Sequence, residues 1–184
     1  GRMVEAILAG RDVLGVMPTG AGKSICYQVP ALVRPGITFV ISPLLSLMSD
    51  QVRALKEAGA RPAYLNSSLT PGQQNTVLKR AYEGRYQIMY VAPERLSEPR
   101  FAEFARWAAS DAGLGVPLVA VDEAHCASQW GQDFRPDYLQ IAQFVANLPK
   151  RPVVAAFTAT ATERVRADIT QILGLHNPVT AVTG

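Results

Sequence analysis

The chain has 184 residues, of which 48% are hydrophobic and 18% are charged, and 18 Lys and Arg against 15 Asp and Glu give a net charge of +3. This is enough for one domain with a buried core, and it excludes a disordered or collagen-like chain. The longest run without a charged residue, 62–78, is too short and too polar for a membrane-spanning helix, so we expect no membrane partner. The basic surplus is too small to indicate a nucleic-acid partner by itself.

The two cysteines, Cys26 and Cys126, are far apart, and no second thiol or histidine pair stands at metal-ligand spacing. We therefore expect two reduced thiols, no disulfide framework and no zinc site. Gly1–Glu5 leads into an amphipathic segment and not into the apolar core of a signal peptide. These features predict a cytoplasmic protein, associated with the nucleoid if its source is bacterial.

Short apolar runs alternate with segments of helical period along the whole chain. In chain order, the sequence predicts strand 12–17, helix 24–32, strand 38–41, helix 45–58, strand 63–65, helix 71–82, strand 87–91, helix 100–109, strand 118–121, helix 137–147, strand 153–157, helix 162–173 and strand 179–182. Thr70 with Pro71 is a good helix start, and Gly59 and Gly174 are good stops. The alternation predicts an α/β fold over residues 1–184, with a mainly parallel central sheet and helices on both faces.

A glycine-rich segment stands between the first predicted strand and the first predicted helix. It reads Met17, Pro18, Thr19, Gly20, Ala21, Gly22, Lys23 and Ser24. Such a loop points main-chain N–H groups at phosphate oxygens; Lys23 would reach the β and γ phosphates and Ser24 would bind Mg²⁺. The strict motif has glycine where Met17 stands, so the match is to a helicase-like variant. A structural turn with a chance Gly-Lys-Ser is the alternative.

A second motif follows the apolar strand 118–121, which ends in Asp122, Glu123, Ala124 and His125. In a parallel sheet this motif and the glycine-rich loop meet at the carboxyl edge. There Asp122 would hold Mg²⁺, and Glu123 would orient and deprotonate the water that attacks the γ-phosphate. Found alone, two such carboxylates usually mark a solvated helix start. Together with the loop they predict binding and hydrolysis of ATP.

The spelling of residues 122–125 resembles the DEAH box of superfamily 2 helicases, and other segments resemble the RecQ family of DNA helicases in order and spacing. They are 42–51, 65–67, 90–96, the aromatic-rich 128–138 and 157–161. The resemblance covers essentially the whole chain. It implies the first RecA-like motor domain of a helicase that uses ATP to move 3′ to 5′ on single-stranded DNA and to separate duplexes in recombination and repair.

The resemblance also implies residues that contact nucleic acid or couple it to ATP hydrolysis. These are Ser42, Asn66, Arg95, His125, Trp130, Phe134, Arg135, Thr158 and Thr160. Trp130 and Phe134 offer ring faces on which bases can stack, and arginines can hold phosphates. Core packing is the alternative for both aromatic residues.

Two family features fall outside this sequence. The glutamine that recognises adenine would align immediately before Gly1, and the second RecA-like domain, whose arginine completes the hydrolytic site, would follow the chain. We therefore expect the isolated chain to bind ATP weakly, hydrolyse it poorly and unwind nothing. Two alternatives share the motifs: an RNA-directed or chromatin-type ATPase of the same superfamily, and a nucleic-acid-binding module with a vestigial nucleotide site.

Overall fold

The computed structural model describes residues 1–18, 22–159 and 162–183. Four predicted site residues, Thr19, Gly20, Ala21 and Thr160, lie outside the described residues. The strands are β1 (Val13–Val16), β2 (Thr38–Ile41), β3 (Pro62–Leu65), β4 (Ile88–Val91), β5 (Leu118–Val121), β6 (Val153–Thr158) and β7 (Val179–Val182). The α-helices are α1 (Arg2–Leu8), α2 (Gly22–Val33), α3 (Leu45–Glu57), α4 (Pro71–Tyr82), α5 (Pro99–Ala108), α6 (Ile141–Ala146) and α7 (Glu163–Ile172).

The seven strands form one sheet in the order β3-β4-β2-β5-β6-β1-β7, and every neighbouring pair is parallel. The predicted α/β class is thus confirmed. Because all strands run the same way, the segments that follow β1, β2, β3 and β5 emerge at one edge of the sheet. The predicted phosphate loop and the predicted carboxylates belong to this carboxyl edge, which is where ligands bind in open parallel sheets.

A hydrophobic core lies on each face of the sheet. Adjacent residues of β2 point to opposite faces: Phe39 packs with the cluster that includes Phe104 and Ile169, and Val40 packs with the cluster that includes Tyr27 and Met48. The first cluster lies under α4 to α7 and the second under α1 to α3. Helices therefore cover both faces, as the nearly continuous apolar strands predict.

Local sequence signals explain several helix ends. The Thr70 hydroxyl accepts from the Gln73 N–H while the Gln73 side chain accepts from the Thr70 N–H, a reciprocal cap that starts α4. Gly59 and Gly174 follow α3 and α7 with positive φ angles of 89° and 67°, a backbone conformation that glycine adopts at little cost.

Two helical segments differ from prediction. The single helix predicted for 137–147 is wrong: a 3₁₀ turn over Pro136–Gln140 precedes α6. Tertiary contacts set this break, since the buried Tyr138 side chain points to the sheet and its hydroxyl donates to the Asp122 carbonyl at 2.8 Å. The sequence also gave no firm prediction of α1, a two-turn helix that buries Met3 and Ile7. In the described parts of the chain, no helix is long and apolar enough to cross a membrane.

Candidate nucleotide and nucleic-acid site

Lys23 joins the two predicted motifs. It lies in the first turn of α2, is buried, and places its Nζ atom 2.9 Å from Asp122 Oδ1 and 3.3 Å from Glu123 Oε1. The Lys23 side chain therefore bridges from the helix that follows β1 to the end of β5, across the intervening β6. Residues that are about a hundred positions apart in sequence form one compact charged cluster at the carboxyl edge.

The carboxylates have a constrained backbone. The Asp122 N–H donates to the Ile41 carbonyl at 2.8 Å and extends the pairing of β5 with β2. Glu123 then has a φ of 51°, in the left-handed region that non-glycine residues rarely occupy. Its N–H donates to Asp122 Oδ1 at 2.9 Å. Such strain persists only where surrounding bonds hold it, and it commonly occurs at functional sites.

The charge of Lys23 is stabilised in this cluster. Burial alone would lower the pKa of Lys23, but the carboxylates of Asp122 and Glu123 outweigh burial and raise it above the usual value for lysine. Lys23 is therefore an ammonium at neutral pH. A phosphate group can recruit this cation only by competing with the two carboxylates.

The cluster has the donors that a phosphate-bound Mg²⁺ needs. Mg²⁺ typically uses one or two protein oxygens and keeps its other positions for substrate phosphates and water. Asp122 supplies a carboxylate, and the Ser24 hydroxyl lies on α2 directly after Lys23. The described residues contain no group of three or more His, Cys, Asp or Glu side chains that could hold a metal by themselves. Asp122 and Ser24 can thus supply the one or two protein oxygens that a phosphate-bound Mg²⁺ uses.

His125 connects the carboxylates to the end of β6. Its Nε2 atom lies 3.6 Å from Glu123 Oε2, and its Nδ1 atom lies 3.1 Å from the Thr158 hydroxyl. Thr158 is buried and is the last residue of β6. A movement of the segment after β6 therefore has a short path of polar contacts to Glu123.

The aromatic-rich segment 128–138 lies beside this path. Ser128 holds the start of the segment in place: its hydroxyl donates to Asp168 on α7 at 2.7 Å and accepts from the Trp130 N–H at 3.1 Å. The Trp130 side chain is 60% exposed, so core packing does not account for it. Its ring is covered instead by Arg164 of α7, whose guanidinium carbon is 3.4 Å from the ring centroid.

Phe134 and Arg135 are less available than Trp130. Phe134 is half-buried and so exposes a smaller fraction of its surface than Trp130 does. The Arg135 guanidinium donates to Asp133 Oδ2 at 3.1 Å and 3.2 Å, and its main-chain N–H donates to the Cys126 carbonyl. Asp133 has a positive φ of 59°, so the loop turns sharply at this ion pair.

The three remaining predicted contacts are engaged inside the protein. Ser42 is buried and its hydroxyl accepts from the Leu44 N–H at 3.3 Å. Asn66 is fully buried, and its Oδ1 accepts from the Ser68 N–H at 2.8 Å. Arg95 is half-buried, with Nη1 donating to Gln74 at 2.7 Å. In this conformation the side chains of Ser42 and Asn66 shape turns and do not offer a surface to DNA.

Sequence reasoning missed three residues that connect the motifs. Arg164 and Asp168 lie four residues apart on one face of α7 and contact the aromatic-rich segment. Gln28 of α2 donates to Gln51 at 2.7 Å and to the Tyr90 hydroxyl at 3.0 Å, which joins segments 42–51 and 90–96. The i, i+4 spacing of Arg164 and Asp168 places them on one helix face, but it does not indicate that this face contacts the aromatic-rich segment.

The chain belongs to the DEAD/DEAH box helicase family, since residues 1–169 match the model of that family. It is 49% identical over 176 residues to the ATP-dependent DNA helicase RecQ of Bacillus subtilis (strain 168), a match that covers 96% of this chain and 29% of that protein. It is 42% identical over 182 residues to the ATP-dependent helicase SGS1 of Saccharomyces cerevisiae, covering 96% of this chain and 12% of that protein. The resemblance to RecQ helicases is thereby confirmed, and the chain spans less than a third of these relatives.

Solved structures share the fold at low sequence identity. A hypothetical ATP-dependent RNA helicase from Sulfolobus tokodaii superposes with a TM-score of 0.74 at 19% identity, covering 99% of this chain and 51% of that chain. The Hef helicase domain of Pyrococcus furiosus gives a TM-score of 0.71 at 20% identity, covering 98% and 37%. These superpositions confirm the predicted RecA-like fold.

Proposed function

We propose that this chain is the ATP-binding motor domain of a RecQ-type DNA helicase that couples ATP hydrolysis to 3′-to-5′ movement on single-stranded DNA. The observation that carries the proposal is the cluster in which Lys23 lies within 3.3 Å of both Asp122 and Glu123, with His125 linking Glu123 to Thr158. A vestigial nucleotide site would have no reason to keep the lysine and both carboxylates in contact. This arrangement supports an intact one.

Each residue of the cluster has a role in phosphoryl transfer. Lys23 would leave the carboxylates to bind the β and γ phosphates, and main-chain N–H groups at the start of α2 would face those phosphates. Ser24 and Asp122 would hold Mg²⁺, which cancels phosphate charge when bound. Glu123 orients the attacking water and accepts its proton, and its constrained backbone keeps the carboxylate in place.

Further positive charge must reach the γ-phosphate for fast hydrolysis. Among the described residues, the cations within 4 Å of Asp122 or Glu123 are Lys23 and, when protonated, His125. We propose that an arginine of a second RecA-like domain completes the site, as the resemblance to RecQ helicases implies. In related nucleotidases such an arginine contributes about 10³–10⁵ in rate, so this chain alone should turn over ATP very slowly.

DNA would be sensed through the aromatic-rich segment. Trp130 is exposed enough to stack on a nucleobase. The Ser128 hydroxyl, at the start of the segment, donates to Asp168 of α7. Stacking contributes about 1–3 kcal/mol per base whatever the sequence. A shift of Trp130 would pass through Ser128, whose hydroxyl accepts from the Trp130 N–H and whose own N–H donates to the His125 carbonyl at 3.0 Å, and so reach His125 and Glu123. We propose that this motor works on DNA in repair and recombination in the cytoplasm, at the nucleoid if its source is bacterial.

Another superfamily 2 ATPase, directed to RNA or to chromatin, would share the nucleotide cluster. The relatives favour DNA, because the Bacillus subtilis relative with 49% identity is named an ATP-dependent DNA helicase. The discriminating observation is the nucleic acid that stimulates ATP turnover.

The test measures binding of a fluorescent ATP analogue to this chain and phosphate release by the longer helicase that carries it. Lys23→Ala should weaken nucleotide binding at least tenfold, whereas Lys56→Ala, a change of an exposed lysine on α3, should not. Glu123→Gln should leave binding intact and abolish phosphate release. Single-stranded DNA, and not RNA, should stimulate release, and Trp130→Ala should remove that stimulation. Equal stimulation by RNA, or turnover unaffected by Glu123→Gln, would refute the proposal.

A further inference from the structure

An open groove of about 850 Å³ runs along β3, at the edge of the sheet farthest from β7. Helix α3 covers one face of the sheet and α4 covers the other. The groove is lined by both helices, through Val52 and Lys56 of α3 and Val77 and Arg80 of α4, as well as by β3 itself. It therefore occupies the space in which one more strand of the sheet would lie.

The main chain of β3 has unpaired positions on this side. The carbonyls of Arg61 and Leu65 accept from the Gln87 and Ala92 N–H groups, so these residues face β4. Successive residues of a strand direct their N–H and C=O groups to opposite sides. The N–H and C=O groups of Tyr64 and the C=O group of Pro62 consequently point toward the groove, and among the described strands β3 pairs with β4 alone. The groove side offers one donor, the Tyr64 N–H, and the carbonyls of Pro62 and Tyr64, because proline has no N–H.

The groove has an apolar floor and a basic rim. Val52, Leu69 and Val77 contribute apolar surface, and Lys56, Arg61, Arg80 and Arg85 contribute cations. The described residues that line it include no Asp or Glu. Arg85 forms an ion pair at 2.9 Å with Glu83, which lies just outside the groove. Lys56, Arg61 and Arg80 still give the groove a positive lining when Arg85 is not counted.

We propose that this groove binds an extended acidic peptide, which adds to the sheet as a strand beside β3. Main-chain hydrogen bonds to Tyr64 and Pro62 would fix its register, aspartate or glutamate side chains would pair with Arg80 of α4, and the alternate side chains would pack against Val52 of α3. Four strands separate β3 from β1, so the groove is distinct from the nucleotide cluster. The site does not depend on the proposed helicase activity. A peptide fits better than nucleic acid because an unpaired strand and an apolar floor match peptide main chain and alternating side chains.

The test uses this chain and a fluorescein-labelled ten-residue peptide in which aspartate and valine alternate. In an added strand this pattern directs the aspartates toward one helix and the valines toward the other. Fluorescence anisotropy should show binding, and Arg80→Glu should weaken it at least tenfold. Lys79→Glu is the matched control: it makes the same charge change at the next residue of α4, exposed but outside the groove, and should change affinity less than twofold. A peptide of the same composition with its aspartates clustered should bind at least tenfold more weakly.

Hydrogen exchange supplies a measurement that needs no variant. Bound peptide should slow exchange of the Tyr64 amide, which points into the groove, and leave the amides of β7, the opposite edge strand, unchanged. No binding of the alternating peptide, equal binding of the clustered one, or an unprotected Tyr64 amide would overturn the proposal. Displacement of the peptide by a ten-residue thymidine oligonucleotide that itself binds in an Arg80-dependent manner would assign the groove to nucleic acid instead.

Discussion

Of the substitutions that remove one carboxylate, Asp12→Ala should lower the free energy of unfolding most, judged from the contacts that each carboxylate makes. Asp12 immediately precedes β1, the strand that leads to the phosphate loop, and its side chain is 2% exposed. It accepts from Arg151 at 2.7 Å and 3.1 Å, from the Val154 N–H at 3.0 Å and from the His176 N–H at 2.7 Å. One carboxylate thus fastens the start of β1 to β6 and to the loop before β7.

The magnitude follows from what the substitution leaves behind. Breaking a buried ion pair costs about 3–5 kcal/mol. The Arg151 side chain is 30% exposed and can regain some water, so the lower end applies, about 3 kcal/mol. With a urea slope of about 2 kcal/mol per molar, the unfolding midpoint should fall by about 1.5 M. Asp111→Ala is the control, because Asp111 pairs with Lys150 at 2.6 Å but is 88% exposed, and it should leave the midpoint unchanged.

Low pH should reduce the difference in unfolding midpoint between the native protein and Asp12→Ala. Burial alone would raise the pKa of Asp12, but the hydrogen bonds from Arg151, His176 and Val154 outweigh it and lower the pKa below the usual value. A carboxyl whose folded pKa lies below its unfolded pKa stabilises the fold above the unfolded value of about 4 and loses that contribution as pH falls through the folded one. Urea titrations at pH 7 and at pH 3 measure the difference. An equal midpoint for Asp12→Ala and the native protein at pH 7 would refute the reasoning.

Three further outcomes are expected. Gly15→Ala should lower the free energy of unfolding by about 1–3 kcal/mol in urea titrations, since a Cβ there would lie 2.9 Å from the buried Phe157 ring; an unchanged midpoint would contradict this. Arg164→Ala should tighten binding of single-stranded DNA about two- to fivefold in anisotropy titrations, because the guanidinium that covers Trp130 is worth about 0.5–1 kcal/mol; weaker binding would mean that Arg164 contacts phosphate. The Cys126 thiol should resist a chromogenic disulfide reagent at pH 8 until the protein unfolds, since burial raises its pKa to about 11; rapid reaction of Cys126 in the native protein would contradict this.

Most of the fold could be predicted from sequence because its central strands β2, β4 and β5 are fully buried and its helices are amphipathic. Every predicted strand is present, and β2, β5 and β7 have the predicted bounds. The segment 137–147 could not be predicted, because its break depends on Tyr138 reaching the Asp122 carbonyl, a contact between residues 16 positions apart. Periodicity reports which residues are apolar; it does not report which buried polar group needs a partner.

The candidate site, like the fold, has a part that could be predicted from the sequence and a part that could not. Lys23, Asp122 and Glu123 stand in motifs whose order along a parallel sheet predicts that they meet, and the structure brings them together. The direction of Arg164 and the burial of Asn66 depend on how α7 and the turn after β3 pack. No local pattern contains that information. The residue types that bind phosphate were therefore predictable, and the contacts that hold the aromatic-rich segment were not.

The placement of Lys23 has a consequence for how this site would be switched. The Lys23 ammonium lies within 3.3 Å of the carboxylates of both Asp122 and Glu123, so the three charges compensate one another. In the proposed mechanism phosphates would draw Lys23 away, and the two carboxylates would lose this cation as a negatively charged ligand arrives. Only new positive charge can offset that repulsion, which is why Mg²⁺ at Asp122 and an arginine near the γ-phosphate belong to the proposed mechanism. In the same proposal this release would free Glu123 to act on water. The contacts of His125 with Glu123 and Thr158 would then let movement of the aromatic-rich segment alter the position of Glu123.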